Sequence, residues 1–266
     1  MFSNTKLIVS DMDGTLLNDK GKVNPLFFEL FQKLKVKNIT FCAASGRQYD
    51  SILGKLKSIK DSIYIIAENG ANVRYRQENL LQIGLQKDVA KSTIERLRTI
   101  QDTYIVLCTN QGAYIETTDE NFVKLFKEYY SNYHIVSDLL EVINKVVVYK
   151  IASYHFQSSE TFIYPYLKDL KDKALLKISG QHWLDISSYA SNKGKALQLL
   201  QEKLNIKKEE TVVIGDYLND LELFENAEYG FAVANAHPNI KEVANFLTDD
   251  NNNLGVEKVL QKILAS

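Results

Sequence analysis

The sequence predicts an α/β fold, a parallel sheet flanked by helices and interrupted by a smaller α+β module. Three observations predict it. Short apolar runs at residues 7–9, 39–43 and 63–67 alternate with helical patterns, and each ends in a polar loop that contains glycine. The same texture returns after Ser191, where residues 211–214 run into Gly215-Asp216. Between the two stretches the texture changes to paired strands and helices, over a length that suits a domain of its own.

In chain order, residues 7–9 lead into Ser10-Asp11-Met12-Asp13-Gly14-Thr15. A buried parallel strand delivers groups to the carboxyl edge of a sheet in this way. Successive strand residues point to opposite faces, which puts Asp11 and Asp13 on one side if the strand continues that far. Asn24-Pro25 supplies an N-cap and a proline at the first helical position. Phe27, Phe28, Leu30, Phe31 and Leu34 then give that helix a wide apolar face. The second strand, 39–43, ends in Ala44-Ser45-Gly46-Arg47, ahead of a helix with Ile52, Leu53 and Leu56. The third, 63–67, ends in Glu68-Asn69-Gly70-Ala71. Right-handed crossovers are expected between these strands. A hairpin of 72–75 with 80–84 follows, around a loop at 76–79.

The module spans roughly 85–187, with helices expected at 88–100, 120–130 and 160–170. Its strand pairs are 104–108 with 113–117, and 174–179 with 182–186, the latter joined by a Ser179-Gly180 turn. His134, His155, His182 and Trp183 have no ligand spacing and read as packing or hairpin residues. Ser191-Asn192-Lys193-Gly194 then opens a helix with Ala196, Leu197, Leu200 and Leu204 on one face. Strands follow at 211–214, 229–233 and 245–247, and a closing helix at 256–264 buries Val256, Val259, Leu260 and Ile263. The expected division is a core of 1–84 with 187–266 and an insert of 85–186, hinged near Gly84 and 187–191.

Composition sets outer bounds. A net charge of -1 with 24% charged residues points to neither a nucleic-acid nor a membrane surface. The apolar runs are strand-sized, too short to span a bilayer. The acidic loop arrives too early for a signal peptide to precede it. Cys42 and Cys108 lie in apolar segments and read as reduced packing residues of a cytoplasmic protein. A monomer or weak dimer is expected.

Four loops of the split domain carry Asp11/Asp13, Ser45-Gly46, Lys193 and Asp216/Asn219/Asp220. Ligands of open α/β sheets bind beyond the carboxyl ends of the strands, where these loops converge. So many acids need a cation, and an all-oxygen set suits Mg²⁺. Asp11 and Asp13 read as a nucleophile and a general acid/base, since a carboxylate can attack phosphorus once a metal offsets the charge. A solvated turn is the plain alternative, while a calcium loop fails on spacing because its sixth and twelfth positions are Leu16 and Lys22. Ser45-Gly46 either holds an anion at a helix start or caps that helix, and Arg47 either contacts substrate or faces solvent. Lys193 opposes the dipole of its own helix, which makes sense beside a phosphate or an acidic cluster; otherwise it is a surface lysine. The Gly215-Asp216-x-x-Asn219-Asp220 loop suits a metal shell with supporting residues, or an acidic helix start.

Together, Asp11-x-Asp13-Gly14-Thr15, Ser45, Lys193 and Gly215-Asp216-x-x-Asn219-Asp220 resemble the haloacid dehalogenase superfamily in order and spacing. Ala44-Ser45-Gly46-Arg47, Glu68-Asn69-Gly70-Ala71, Asn192-Lys193-Gly194-Lys195, Ala232-Val233-Ala234-Asn235-Ala236 and the stretch 248–256 resemble its Cof-type phosphatases. The resemblance implies a Rossmann-like three-layer core with an inserted α+β cap of the C2B type, which closes over substrate and opens for release. It implies Asp11 as nucleophile, Asp13 as acid/base, and Ser45, Gly46, Lys193 and Asn219 around the phosphoryl group. Mg²⁺ would be held by Asp11, the main-chain carbonyl of Asp13 and Asp216, with Asp220 behind them and Arg47 toward substrate. The implied activity is Mg²⁺-dependent hydrolysis of a small phosphorylated metabolite, a sugar phosphate or similar, through an aspartyl-phosphate. A phosphomutase and a non-catalytic metabolite sensor remain as alternatives. The family's usual proline ahead of the lysine motif is replaced here by Ser187-Ser188-Tyr189-Ala190-Ser191, a change at the implied hinge.

Overall fold

The computed structural model describes residues 2–179 and 181–266, in two compact units: 1–81 with 192–266, and 82–191. In chain order the strands are β1 (Leu7–Asp11), β2 (Thr40–Ala44), β3 (Tyr64–Ala67), β4 (Asn72–Tyr75), β5 (Glu78–Gln82), β6 (Thr103–Thr109) and β7 (Gly112–Ile115). They continue with β8 (Tyr133–Ile135), β9 (Val148–His155), β10 (Leu175–Ile178), β11 (Trp183–Ser187), β12 (Thr211–Gly215), β13 (Tyr229–Ala232) and β14 (Phe246–Leu247).

The first unit is built on an eight-stranded sheet of order β14-β13-β12-β1-β2-β3-β4-β5. It is parallel from β14 through β3, and β4 turns antiparallel to β3. Every residue of β1 is buried, as a central strand covered on both faces requires. Its register pairs Ser10 with Ile214 on one side and Asp11 with Ala44 on the other. Ala44 in turn pairs with Ile66, so β12, β1, β2 and β3 end at one edge and their loops leave together.

Local sequence explains the helices that cover this sheet. Asn24 caps the helix Pro25–Val36 by accepting from the Leu26 N–H, with proline where a missing N–H costs nothing. Phe27, Leu30, Phe31 and Leu34 are its buried face, and the Phe27 ring meets Phe41 of β2 edge-on at 5.1 Å. Asn192 caps the helix Lys193–Leu204 through the Lys195 N–H, and Asn205 ends it in the left-handed conformation.

The second unit has a six-stranded sheet of order β10-β11-β9-β6-β7-β8, antiparallel except for β7 beside β8. The helix Lys87–Leu97 packs Val89, Ala90, Ile94 and Leu97 in one cluster with Leu107, Ile151, Leu184 and Ile186. A separate cluster gathers Phe122, Phe126, Tyr130, Ala152 and Tyr154. Its rings pack closely, Phe126 stacked on Tyr130 at 4.7 Å and Tyr154 edge-on to Trp183 at 4.8 Å.

Three expectations are corrected. The hairpin turn is Arg76-Gln77 alone, with Arg76 at φ +57°, and β5 begins at Glu78 instead of residue 80. The helix expected at 160–170 is broken into Ser159–Phe162, Tyr164–Leu167 and a tighter turn at Lys168–Asp172. Pro165 lacks the N–H that would bond the preceding turn, and its ring crowds the carbonyl there. Of the apolar run at 146–149 only Val148 and Tyr149 lie in a strand, β9, which continues to His155 between β11 and β6. The turn expected at Ser179-Gly180 lies partly outside the described residues, while its flanking strands pair antiparallel.

Candidate active site

The shared strand edge of the first unit carries the candidate site. Asp11 is the last residue of β1 and Asp216 follows β12. Asp220 lies at the head of the short helix Leu221–Glu225, and Lys193 opens Lys193–Leu204. One carboxylate oxygen from each of Asp11, Asp216 and Asp220 lies within 4.8 Å of the others. The Lys193 Nζ donates to Asp11 Oδ1 at 2.5 Å and to Asp220 Oδ1 at 2.6 Å, with the side chain wholly buried. The surface alternative for Lys193 is therefore wrong, because its ammonium is committed to two buried carboxylates.

The remaining oxygens are also held. Asp220 Oδ2 accepts the N–H groups of Asp216 and Tyr217, which ties the loop into a compact turn. Gly215 is required there, since a Cβ would lie 2.6 Å from Asp220 Oδ2. Asp216 Oδ1 accepts from the Thr15 hydroxyl at 3.1 Å. Gly14, at φ +74°, passes so close that a Cβ would stand 2.4 Å from Asp216 Oδ2.

The electrostatics follow from that crowding. Burial pushes the Asp11 carboxyl well above the usual range; Lys193 pulls it back and the neighbouring carboxylates add to the push. Burial, joined by the charge on Asp220, pushes Asp216 up to about 6. Burial works against the Lys193 ammonium, yet Asp11 and Asp220 hold its pKa above the ordinary lysine value. Three carboxylates against one ammonium leave an excess of negative charge. A hard, oxygen-seeking divalent cation fits that excess and that donor set. Asp220 has both oxygens engaged, which leaves Asp11 and Asp216 as the carboxylates able to ligate.

Asp13 departs from expectation. Its side chain is half exposed and turned away from the three-acid cluster, into a two-point ion pair with Arg47 at 2.6 and 2.7 Å. β1 ends at Asp11, so strand alternation no longer governs where Asp13 points. Arg47 accordingly does not face solvent alone; its guanidinium fits the carboxylate fork. For Ser45 the helix-cap alternative fails. It is buried, and its hydroxyl accepts the Arg47 N–H, whereas the helix Tyr49–Lys55 begins later with Gln48 at its N-cap. Asn219 donates from Nδ2 to Asn69 Oδ1 at 3.0 Å. Thr15 and Asn69 hold the site but carry no role in the sequence reading. For Asn69 a signal existed, because Asn before Gly at a strand end favours the left-handed conformation that lets a loop double back.

A family model of haloacid dehalogenase-like hydrolases matches residues 8–260. The chain belongs to this family. YbjI of Escherichia coli, named a 5-amino-6-(5-phospho-D-ribitylamino)uracil phosphatase, is 28% identical over 97% of this chain and 96% of its own. The solved structure of TM0651 from Thermotoga maritima is 31% identical, covers 97% of both chains and superposes with a TM-score of 0.86. The subclass IIB sugar phosphatase BT4131, at 19% identity, shares the fold over 97% of this chain and 98% of its own, with a TM-score of 0.83. This haloacid dehalogenase-like hydrolase is thus an enzyme of the phosphatase class, with a parallel-sheet core and an inserted α+β unit. Among the described residues, no helix is long and apolar enough to cross a membrane.

Proposed function

We propose that the chain hydrolyses phosphate monoesters of small metabolites with Mg²⁺, through a phosphorylated Asp11. The observation that carries this reading is the buried Lys193 ammonium, bonded to Asp11 and Asp220 beside Asp216. A strand end that concentrates opposite charges out of water is suited to a dianionic phosphoryl group. Asp11, Asp216 and the main-chain carbonyl of Asp13 would hold Mg²⁺, which when bound offsets the negative charge shared by carboxylate and phosphate.

The steps assigned to the chain's own residues are these. An Asp11 carboxylate oxygen attacks phosphorus, and the bond to the ester oxygen breaks. Asp13, released from the Arg47 pair and protonated from solvent, gives that proton to the leaving oxygen. Asp13 then takes a proton from water, whose oxygen attacks phosphorus and frees inorganic phosphate from Asp11. Lys193 holds the phosphoryl oxygens, with the Ser45 hydroxyl and the Asn219 amide beside it, and Asp220 keeps Lys193 in place. The substrate is a sugar phosphate or similar metabolite. The name of YbjI adds 5-amino-6-(5-phospho-D-ribitylamino)uracil to the compounds worth assaying.

The test is phosphate release from an aryl phosphate by metal-stripped protein, with and without added Mg²⁺ and without a bisphosphate activator. Release only with Mg²⁺ is expected. Equal release in excess chelator would overturn the metal's part, and none in any divalent cation would overturn the hydrolytic reading. A panel of phosphorylated metabolites then ranks substrates by kcat/KM.

A further inference from the structure

The loop after β3 contributes no catalytic group in the mechanism above, yet its backbone is the most strained near the site. Glu68, Asn69 and Gly70 occupy the left-handed region in succession, at φ +50°, +53° and +96°. Side chains other than glycine seldom adopt it, and two such residues together persist only where surrounding contacts enforce them. Those contacts can be traced. The Glu68 N–H donates to the Arg47 carbonyl and the Asn69 N–H to the Ser45 carbonyl, both at 3.0 Å. Gly70 lies against the start of the Lys193 helix, where a Cβ would come within 2.2 Å of the Asn192 carbonyl oxygen. The Asn69 amide touches two further segments. Its Oδ1 accepts from Asn219 Nδ2, and a Cβ at Gly46 would stand 3.0 Å from the same oxygen.

We infer that Asn69 is a positioning residue for phosphate binding: its side-chain oxygen fixes the rotation of the Asn219 amide while its backbone N–H fixes Ser45. This rests on the functional reading above, in which Ser45 and Asn219 flank the phosphoryl group. Asparagine suits both tasks. It tolerates φ near +53° better than most side chains, and its amide oxygen accepts without adding charge. Glycine tolerates the backbone still better but offers no acceptor. The Asn69→Gly variant therefore removes the amide and leaves the loop conformation accessible.

The experiment is a double-mutant cycle of Asn69→Gly with Asn219→Ala, with Mg²⁺ present. It reads kcat, the KM for an aryl phosphate and competitive inhibition by inorganic phosphate, alongside the melting temperature. Asn69→Gly is expected to raise KM and the phosphate inhibition constant about tenfold, one such lost orientation being worth ~1.4 kcal/mol. kcat should change less, and melting should not fall. In the Asn219→Ala background the same substitution should have little further effect, because the amide it orients is gone. Fully additive effects, an unchanged inhibition constant or failure of Asn69→Gly to fold would each overturn the positioning role. If wild-type protein releases no phosphate from any substrate, the functional reading falls and the inference falls with it. Wild-type turnover with an unaltered Asn69→Gly variant sinks the inference alone.

Discussion

Each compact unit buries a lysine, and the two are used differently. Lys150 sits within β9 and reaches Asp185 on the neighbouring β11 at 3.2 Å, where the Ser179 hydroxyl also donates to Asp185. Both charged groups lie in the body of a sheet, flanked by strands. Lys193 stands beyond the strand ends, where one ammonium serves two carboxylates and a third lies alongside. A lysine–carboxylate pair inside a sheet is a structural contact, whose strength depends on how well it offsets lost hydration. An excess of carboxylates at a loop edge is poised for a ligand instead. The carboxyl groups follow suit. Asp11 and Asp216 are pushed up, whereas Asp119, Asp138 and Asp169 of the second unit are pulled down by their hydrogen-bond donors.

The sharpest break in this comparison is Asp11→Asn. Turnover of an aryl phosphate should fall by about 10⁴-fold or more, the scale seen when a nucleophile is removed. The substitution also removes one of three crowded negative charges, so the metal-free protein should melt no lower than wild type. A variant that kept wild-type kcat would refute the mechanism. Lys193→Met comes next. It strands Asp11 and Asp220 without their ammonium and should cost about 3–5 kcal/mol in metal-free denaturant titrations, along with activity. Lys150→Met leaves Asp185 its Ser179 donor and should cost only about 1–3 kcal/mol. Equal costs at the two lysines would erase the distinction between them.

Smaller effects probe how the edge is held. Gly14→Ala puts a methyl on top of Asp216 and requires φ +74° of an alanine, at about 1–2 kcal/mol for the backbone alone. Thr15→Val removes only the hydroxyl that orients Asp216. Each should raise the Mg²⁺ concentration for half-maximal activity, within the range of about 10–100-fold seen for residues that orient ligands. Alanine at Gly14 should have the larger effect. Unchanged Mg²⁺ activation in both variants would separate Asp216 from the metal.

The legibility of the two units differs for the same physical reason. In the first, parallel strands deliver their loops to one edge, so Asp11, Ser45, Lys193 and Asp216 could be grouped from their positions after apolar runs or at helix starts. What escaped was side-chain direction past the strand end. Asp13 turns to Arg47, and Asn69 turns to Asn219 from a segment 150 residues away in sequence. Among the described residues of the second unit, no edge gathers such groups. Lys150 and Asp185 meet only because β9 and β11 are neighbours in a particular register, which a single sequence does not print. The break at Pro165 was readable from proline chemistry; the length of β9 was not, since a strand with all eight residues buried shows no alternation.

The mildest test addresses the lowered carboxyl groups of the second unit. Asp119 caps the helix Glu120–Phe126, accepting from the N–H groups of Phe122 and Asn121, and the Tyr104 hydroxyl donates to it as well. The Phe122 N–H, followed by Tyr104, holds its carboxyl below the usual value. A carboxyl lowered in the folded state stabilises fully above its unfolded pKa of about 3.9, and that contribution disappears as pH falls through the folded value. Asn is as good an N-cap but carries no charge. Asp119→Asn should therefore melt slightly below wild type at pH 7, and the gap should narrow once pH falls below about 3.9 and close as it passes through the lowered folded value. The sole tryptophan, Trp183, lies in this unit and packs in the same ring cluster, 6.4 Å from Phe122, so its fluorescence follows the transition there. A gap that stayed constant across that range would mean that the ionised carboxyl contributes nothing beyond the cap, and that acid acts on the two units alike.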